Sequence, residues 1–184
     1  MFGIGNAYSE HGFIMHTVEK AFPFDCIRKG AARMRILAVN ADESEIKKVL
    51  AEWTELMAQE RYADALELIP YDHLHYYEDN EWTPELLESV VYGYGLAGCT
   101  REEILKDFGC LYKMTSLNDM ADRDEILNSI EISYDCKWFK GNDIAEIWYN
   151  VPLNGEQSDL TGRFLLRKLD GQHMTLVFED LHVM

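Results

Sequence analysis

The sequence predicts an α+β domain in which N-terminal amphipathic helices pack on a curved C-terminal antiparallel β-sheet, a meander. Two observations predict this fold class. Apolar residues recur at helical spacing from about residue 42 to Gly109, and after Gly109 the apolar period changes to two. Turns rich in Asn, Asp and Gly separate the alternating segments. Connections that short force sequential antiparallel pairing.

Four helices are predicted, three of them from capping signals. Asp42 with Glu45 resembles a capping box and opens a helix of about four turns. A second, short helix runs from Tyr62 to Pro70. The later two signals are Thr83-Pro84, an N-cap followed by proline at the first helical position, and Thr100 with Glu103, another capping box. The last helix carries an apolar stripe formed by Ile104, Leu105 and Phe108 and ends at Gly109.

Period-two alternation predicts strands over 111–117, 130–138, 145–151, 160–169 and 174–183. Asn154-Gly155 and Asp170-Gly171 mark hairpin turns. In the last strand, alternation buries either Val177, Leu181 and Val183 or Leu176 and Phe178. Because both sets are apolar, we expect this strand to be covered on both sides, by helices on one and by another chain or a loop on the other.

A length of 184 residues suits a single domain, which we assign to residues 42–184. Residues 1–41 form an N-terminal extension with two open interpretations. Lys29-Gly30-Ala31 shortly before Met34 resembles a translated ribosome-binding site, which makes residues 1–33 a translated leader. The other interpretation is a genuine N-terminal helix ahead of Pro23.

The chain is strongly acidic, with 17 basic and 33 acidic residues and a net charge of −16. Residues 41–110 hold 17 acidic and 5 basic residues, a net charge of −12. This balance argues against nucleic-acid binding, which needs a basic surface, and favours a basic protein partner. The N-terminus lacks a signal peptide, no apolar run is long enough for a membrane span, and the four cysteines form no Cys-x-x-Cys pair. We therefore expect a cytoplasmic protein with reduced thiols.

The element order, two helices, a short strand, further helices and a long meander, resembles the nuclear-transport-factor-two-like, or cystatin-like, superfamily over residues 42–184. The segment from Arg61 to Leu66 is similar to the second helix of that superfamily. The resemblance implies a cone-shaped fold, and the superfamily includes isomerases, cyclases, ligand carriers and immunity-type proteins. The two capped helices before the meander exceed what its simplest members carry.

Several polar residues are candidates for a site. Glu78, Asp79 and Glu81 form an acidic segment suited to a basic partner, and His73-x-His75 beside them has the spacing of two metal ligands on a strand. We favour a surface or half-buried aromatic cluster as the explanation of that histidine pair, and we assign no metal or cofactor.

The sheet supplies the other candidates. Glu146 and Trp148 alternate with the apolar positions of their strand and are expected on the second face of the sheet, where Tyr134 and Trp138 can join Trp148. Glu179 is expected to share a face with Val177 and Leu181, pointing inward, where burial would raise its pKa. Asp180 and His182 share a strand face and can form an acid–base pair. The interpretation that we favour is structural: Leu181 and Val183 close the core while the polar residues between them face water.

These observations lead to two functional hypotheses. The first is a non-catalytic acidic binding protein, an immunity-type inhibitor of a basic toxin or nuclease. The alternative is a cone-fold enzyme or carrier for a small apolar ligand, which requires an enclosed pocket behind Trp148 with Glu146 or Glu179 at its wall. A homodimer formed through the sheet is compatible with either hypothesis.

Overall fold

The computed structural model describes residues 34–71, 81–134, 136, 139 and 141–184. These residues form the predicted α+β fold. The helices are α1 (Glu43–Ala58), α2 (Tyr62–Leu68), α3 (Pro84–Tyr92), α4 (Arg101–Phe108) and α5 (Arg123–Asn128), with a 3-10 turn at Leu117–Asp119. The strands are β1 (Ile36–Ala38), β2 (Glu131–Ser133), β3 (Asp143–Leu153), β4 (Glu156–Lys168) and β5 (His173–Val183). None of the helices in the described ranges has the length and apolarity needed to cross a bilayer.

The capping signals begin helices where the sequence predicts them. Asp42 and Thr100 each form a complete capping box, with Glu45 and Glu103 respectively. The Thr83 side chain accepts a hydrogen bond from the Leu86 amide. Gly109 ends α4 in the left-handed conformation with φ of 75°, a conformation that glycine adopts without the steric cost of a Cβ. Helix α3 ends at Tyr92, with Gly93 as its C-cap.

The five strands form an open, curled antiparallel sheet in the order β1-β5-β4-β3-β2. The order confirms the sequential pairing of the meander. Asn154 and Gly155 both have positive φ, 50° and 86°, as a type I′ hairpin turn requires. Strand β1, which the sequence pattern does not predict, pairs with β5 through Ile36 opposite Thr175.

Two predicted strands are wrong in extent. In 111–117 only Met114 forms a β-bridge, to Leu153, because Ser116 instead caps the 3-10 turn that follows. The strand predicted over 130–138 is observed only over Glu131–Ser133. Beyond it Tyr134 is 51% exposed in a bend. Asp135, Lys137 and Trp138 lie outside the described residues.

The core lies between the helices and one face of the sheet. Ala145, Ile147, Tyr149 and Val151 of β3 are fully buried on this face, as their alternation predicts. Trp53 of α1 packs edge-on against Phe164, with ring centroids 5.3 Å apart, and lies 6.0 Å from Phe178. We call this the helix-covered face, and the opposite one the outer face.

A β-bulge in β5 corrects the predicted assignment of its faces. Phe164 pairs with Phe178, but the preceding residue Arg163 pairs with Asp180, so Glu179 is an extra residue. The bulge reverses the alternation, and the helix-covered core therefore contains Leu176, Phe178 and Leu181 together. Val177, although 3% exposed, lies outside that core cluster, and Val183 is 41% exposed. Simple alternation fails here because it assumes an unbroken ladder.

Candidate functional site

The outer face of the sheet brings together three of the predicted site residues. Strand pairing places Trp148 opposite Arg163, and Arg163 opposite Asp180. Glu146 lies two positions before Trp148 on the same face of β3. The bulge directs Glu179 to this face, which separates it from Leu181 and corrects the expectation that the two residues share a face.

Arg163 links the two glutamates. Its Nε donates a 2.6 Å hydrogen bond to Oε1 of Glu146 and lies 3.2 Å from Oε2 of Glu179. Both glutamates are 4% exposed, whereas the Arg163 side chain is 34% exposed. The arginine therefore provides the positive charge that permits burial of the carboxylates. We refer to these three residues as the Glu146–Arg163–Glu179 cluster.

The environment of Glu146 favours its ionised form. Burial raises the pKa of this carboxyl. The opposing influences are larger together: the hydrogen bond and charge of Arg163, and hydrogen bonds from Cys136 and Trp148. The net result is a pKa below the usual range. The Cys136 thiol lies 3.4 Å from Oε2 of Glu146. Glu146 is consequently a carboxylate at neutral pH, unsuited to act as a general acid.

Trp148 covers Arg163 and touches the predicted acid–base pair. The guanidinium carbon of Arg163 lies 5.4 Å from the centroid of the Trp148 ring, a cation–π distance. The His182 ring meets Trp148 edge-on, with centroids 6.2 Å apart. His182 Nδ1 is 2.9 Å from Asp180 Oδ2, an ion-pair distance, although the angle does not make a hydrogen bond. The sequence thus correctly places Asp180 beside His182.

The helix-covered face, where a cone-fold protein would hold a ligand, is filled by side chains. Trp53, Phe164 and Phe178 meet above the centre of the sheet and are fully buried. The Tyr149 hydroxyl lies 3.0 Å from Thr54 Oγ1, and burial raises the pKa of this tyrosine. Tyr149 is therefore a neutral core residue whose hydroxyl is hydrogen-bonded, and its burial needs no functional explanation.

Two surface grooves of the described chain lie elsewhere. A groove of about 580 Å³ separates β1 from α1 and α2. A second groove of about 420 Å³ lies between the C-terminal end of α1 and residues 114–119. Neither is lined by Glu146, Trp148 or Glu179. The pocket expected behind Trp148 is therefore not among them.

The remaining predicted residues are scattered or outside the described chain. Glu81 is exposed just ahead of α3, and the neighbouring Trp82 donates a 3.2 Å hydrogen bond from its indole to the Glu179 carbonyl oxygen. Glu78 and Asp79, and with them the His73-x-His75 pair, lie outside the described residues. Within the described ranges, no three His, Cys, Asp or Glu side chains form a group that could hold a metal ion.

Sequence reasoning missed Arg163, the residue that connects the cluster. Its signal was present in part: Arg163 lies between the core residues Gly162 and Phe164, so alternation already places it on the outer face. The partners depend on register, which the sequence pattern does not specify.

Comparison of the chain with protein-family models, curated proteins and solved structures found no match in any of the three.

Proposed function

We propose that this chain is a non-catalytic acidic binding protein whose partner is a basic protein. The observation that carries the proposal is the state of its carboxylates. The buried carboxylates of the sheet contact arginines, Glu146 and Glu179 with Arg163 and Asp143 with Arg167, while several exposed carboxylates make no ion pair with any described residue. Uncompensated surface charge is available to an incoming partner, whereas a carboxylate held in a buried ion pair is not.

One uncompensated surface lies between the 3-10 turn and β2. Residues 117–131 contain five acidic residues and the single base Arg123. Four of these acids are exposed and make no ion pair with any described residue: Asp119, Asp124, Glu125 and Glu131. Such a surface accelerates the association of a positively charged protein, and the acceleration falls as salt increases.

The class of partner that fits best is a basic toxin or nuclease, and the chain would be its immunity-type inhibitor. A nuclease needs a positively charged surface to hold phosphates. An acidic protein can cover that surface without any chemistry of its own, and electrostatic steering lets it compete with the substrate. The net charge of −16 on 184 residues supports this interpretation.

We further propose that the fold is a variant of the nuclear-transport-factor-two-like cone fold. The support is a curled sheet with three long strands, of 11, 13 and 11 residues, packed against helices on one face. The departures are the additional helices α3 to α5 and the aromatic residues that fill the helix-covered face. Those residues also argue against the alternative function, an enzyme or carrier for a small apolar ligand.

The proposal is tested by using the full chain as bait in a lysate of its source cells, beside an unrelated protein of similar net charge. We expect one strongly basic protein to bind at low salt, elute at high salt and lose its own activity when the purified chain is added. Capture of neutral or acidic proteins alone, or a basic protein whose activity is unaffected, would contradict the inhibitor assignment. A small apolar ligand that raised the melting temperature by several degrees would favour the alternative.

A further inference from the structure

Helix α4 presents an apolar stripe that the fold buries only in part. Ile104, Leu105 and Phe108 are spaced so that they lie on one side of the helix. Ile104 is 2% exposed, but Leu105 is 46% and Phe108 is 53% exposed. An amphipathic helix normally buries its stripe against its own domain, so the two exposed side chains are available to another molecule.

The helix is held in place without burial of these two side chains. The Thr100–Glu103 capping box fixes its start, and Gly109 fixes its end. Arg101 forms an ion pair with Glu88 of α3. Because a rigid helix loses little conformational entropy when a partner docks, α4 is preorganised for binding.

Ile104 lies beside the turn that follows α3. A Cβ added at Gly93 would lie 3.5 Å from Cδ1 of Ile104, an ordinary contact distance, so the buried end of the stripe faces this turn. The exposed side of the stripe is therefore presented at a defined angle to the domain.

Charge selects the kind of partner. Glu102, Lys106 and Asp107 of α4 are exposed and make no ion pair with any described residue, so these three side chains carry a net charge of −1. A second copy of this chain would bring another net charge of −16 against them, which opposes self-association. A basic surface would satisfy both the carboxylates and the apolar side chains.

We propose that Leu105 and Phe108 are the apolar anchors by which the chain docks its partner, and that the partner contributes an amphipathic segment with lysine or arginine beside its apolar residues. This inference rests on the proposed function and deepens it by assigning the docking surface. Aromatic residues are enriched at the centres of protein interfaces, and the rim around them is polar.

The test uses a fluorescent synthetic peptide of leucine and lysine, about four helical turns long, and a matched peptide with glutamate in place of lysine. We expect the full chain to bind only the basic peptide. The double variant Leu105→Ser/Phe108→Ser should bind it at least about tenfold more weakly, since each anchor loses its apolar burial. Glu102→Lys/Asp107→Lys should also bind more weakly, with a shallower salt dependence.

The matched control is Ile36→Ser on the edge strand β1, because Ile36 is 51% exposed and apolar. It should keep wild-type affinity, and all variants should keep the wild-type melting temperature. Undiminished binding by the Leu105/Phe108 variant would overturn the docking surface and leave the proposed function standing. Failure to bind the basic peptide, equal binding of the acidic peptide, or self-association that the variant abolishes would each overturn the inference. The capture experiment above judges the proposed function independently.

Discussion

Arg163 and Glu146 lie on neighbouring strands of the outer face, and Nε of the arginine donates a 2.6 Å hydrogen bond to a carboxylate that is 4% exposed. The same nitrogen lies 3.2 Å from Glu179. One guanidinium thus contacts two buried carboxylates, and several consequences for stability can be measured.

Removing the guanidinium should destabilise the fold strongly. Arg163→Ala removes the cation that contacts two buried carboxylates, and we expect a loss of about 3 kcal/mol in the free energy of unfolding. The control is Arg35→Ala. Arg35 pairs with Glu52, and both side chains are 46% exposed, so losing this ion pair should lower the free energy of unfolding by at most about 1 kcal/mol. Urea denaturation of both variants measures the difference. Equal losses would show that Arg163 has no special role.

Acid should weaken the wild-type protein through Glu146. Its pKa is lower in the fold than its usual value of 4.5, so this group stabilises the fold above that value. The contribution is lost as the pH falls through the folded pKa. In Arg163→Ala the hydrogen bond and charge that lower this pKa most are gone, so we expect the pKa of Glu146 to be higher than in the wild type. The difference in free energy of unfolding between Arg163→Ala and the wild type should therefore become smaller as the pH falls from 7 to about 4. A difference that does not change with pH would refute the coupling between Arg163 and Glu146.

The aromatic core offers a matched pair of phenylalanines. Phe178 is fully buried against Trp53, Phe164 and Trp82, and Phe178→Ala should cost about 3–5 kcal/mol. Phe108 is 53% exposed, and Phe108→Ala should change stability by no more than about 0.5 kcal/mol. Calorimetric melting distinguishes the two. A similar loss for both would mean that α4 is packed against more of the protein than the structure shows.

Gly162 should tolerate no side chain. A Cβ at this position would lie 2.8 Å from Cε2 of the buried Phe164 ring, so Gly162→Ala should cost about 1–3 kcal/mol. Gly171 has nothing within 4 Å of the added carbon, and Gly171→Ala should be nearly neutral. If Gly162→Ala melts at the wild-type temperature, the ring has room to move.

The end of β5 should be sensitive to how much of it is removed. Deleting residues 181–184 removes Leu181, which is 2% exposed in the core, and should cost about 2–5 kcal/mol. Deleting only Val183 and Met184, 41% and 70% exposed, should cost less than about 1 kcal/mol. If the protein with the longer deletion is as stable as the one with the shorter deletion, the end of β5 is frayed. Asp180 and His182 would then no longer be candidates for a site.

Features that depend on neighbouring residues were predicted from the sequence, and features that depend on distant pairing were not. The capping boxes at Asp42 and Thr100 involve residues three positions apart, and both are confirmed. Strand β1 is short, and its pairing with β5 spans most of the chain, so no local pattern marks it. The bulge at Glu179 arises from the pairing of two strands and leaves no signature in either one.

The same division holds for the candidate site. Alternation correctly placed Glu146 and Trp148 on the second face, because side-chain direction along one strand is a local property. It could not identify Arg163 as the shared partner, since that depends on the register of β3, β4 and β5 together. The inward position expected for Glu179 is wrong for the same reason.

The position of β1 has a consequence for how the chain folds during synthesis. Ile36 pairs with Thr175, so β1 has no strand to pair with until β5 has been synthesised. The hairpins of β3, β4 and β5 can close from local contacts, but they leave the ribosome after all five helices. The apolar side of α1, including Trp53, therefore has no sheet to cover it until nearly the whole chain has been made. A nascent chain in that state is exposed to aggregation and is a substrate for chaperones that bind apolar segments.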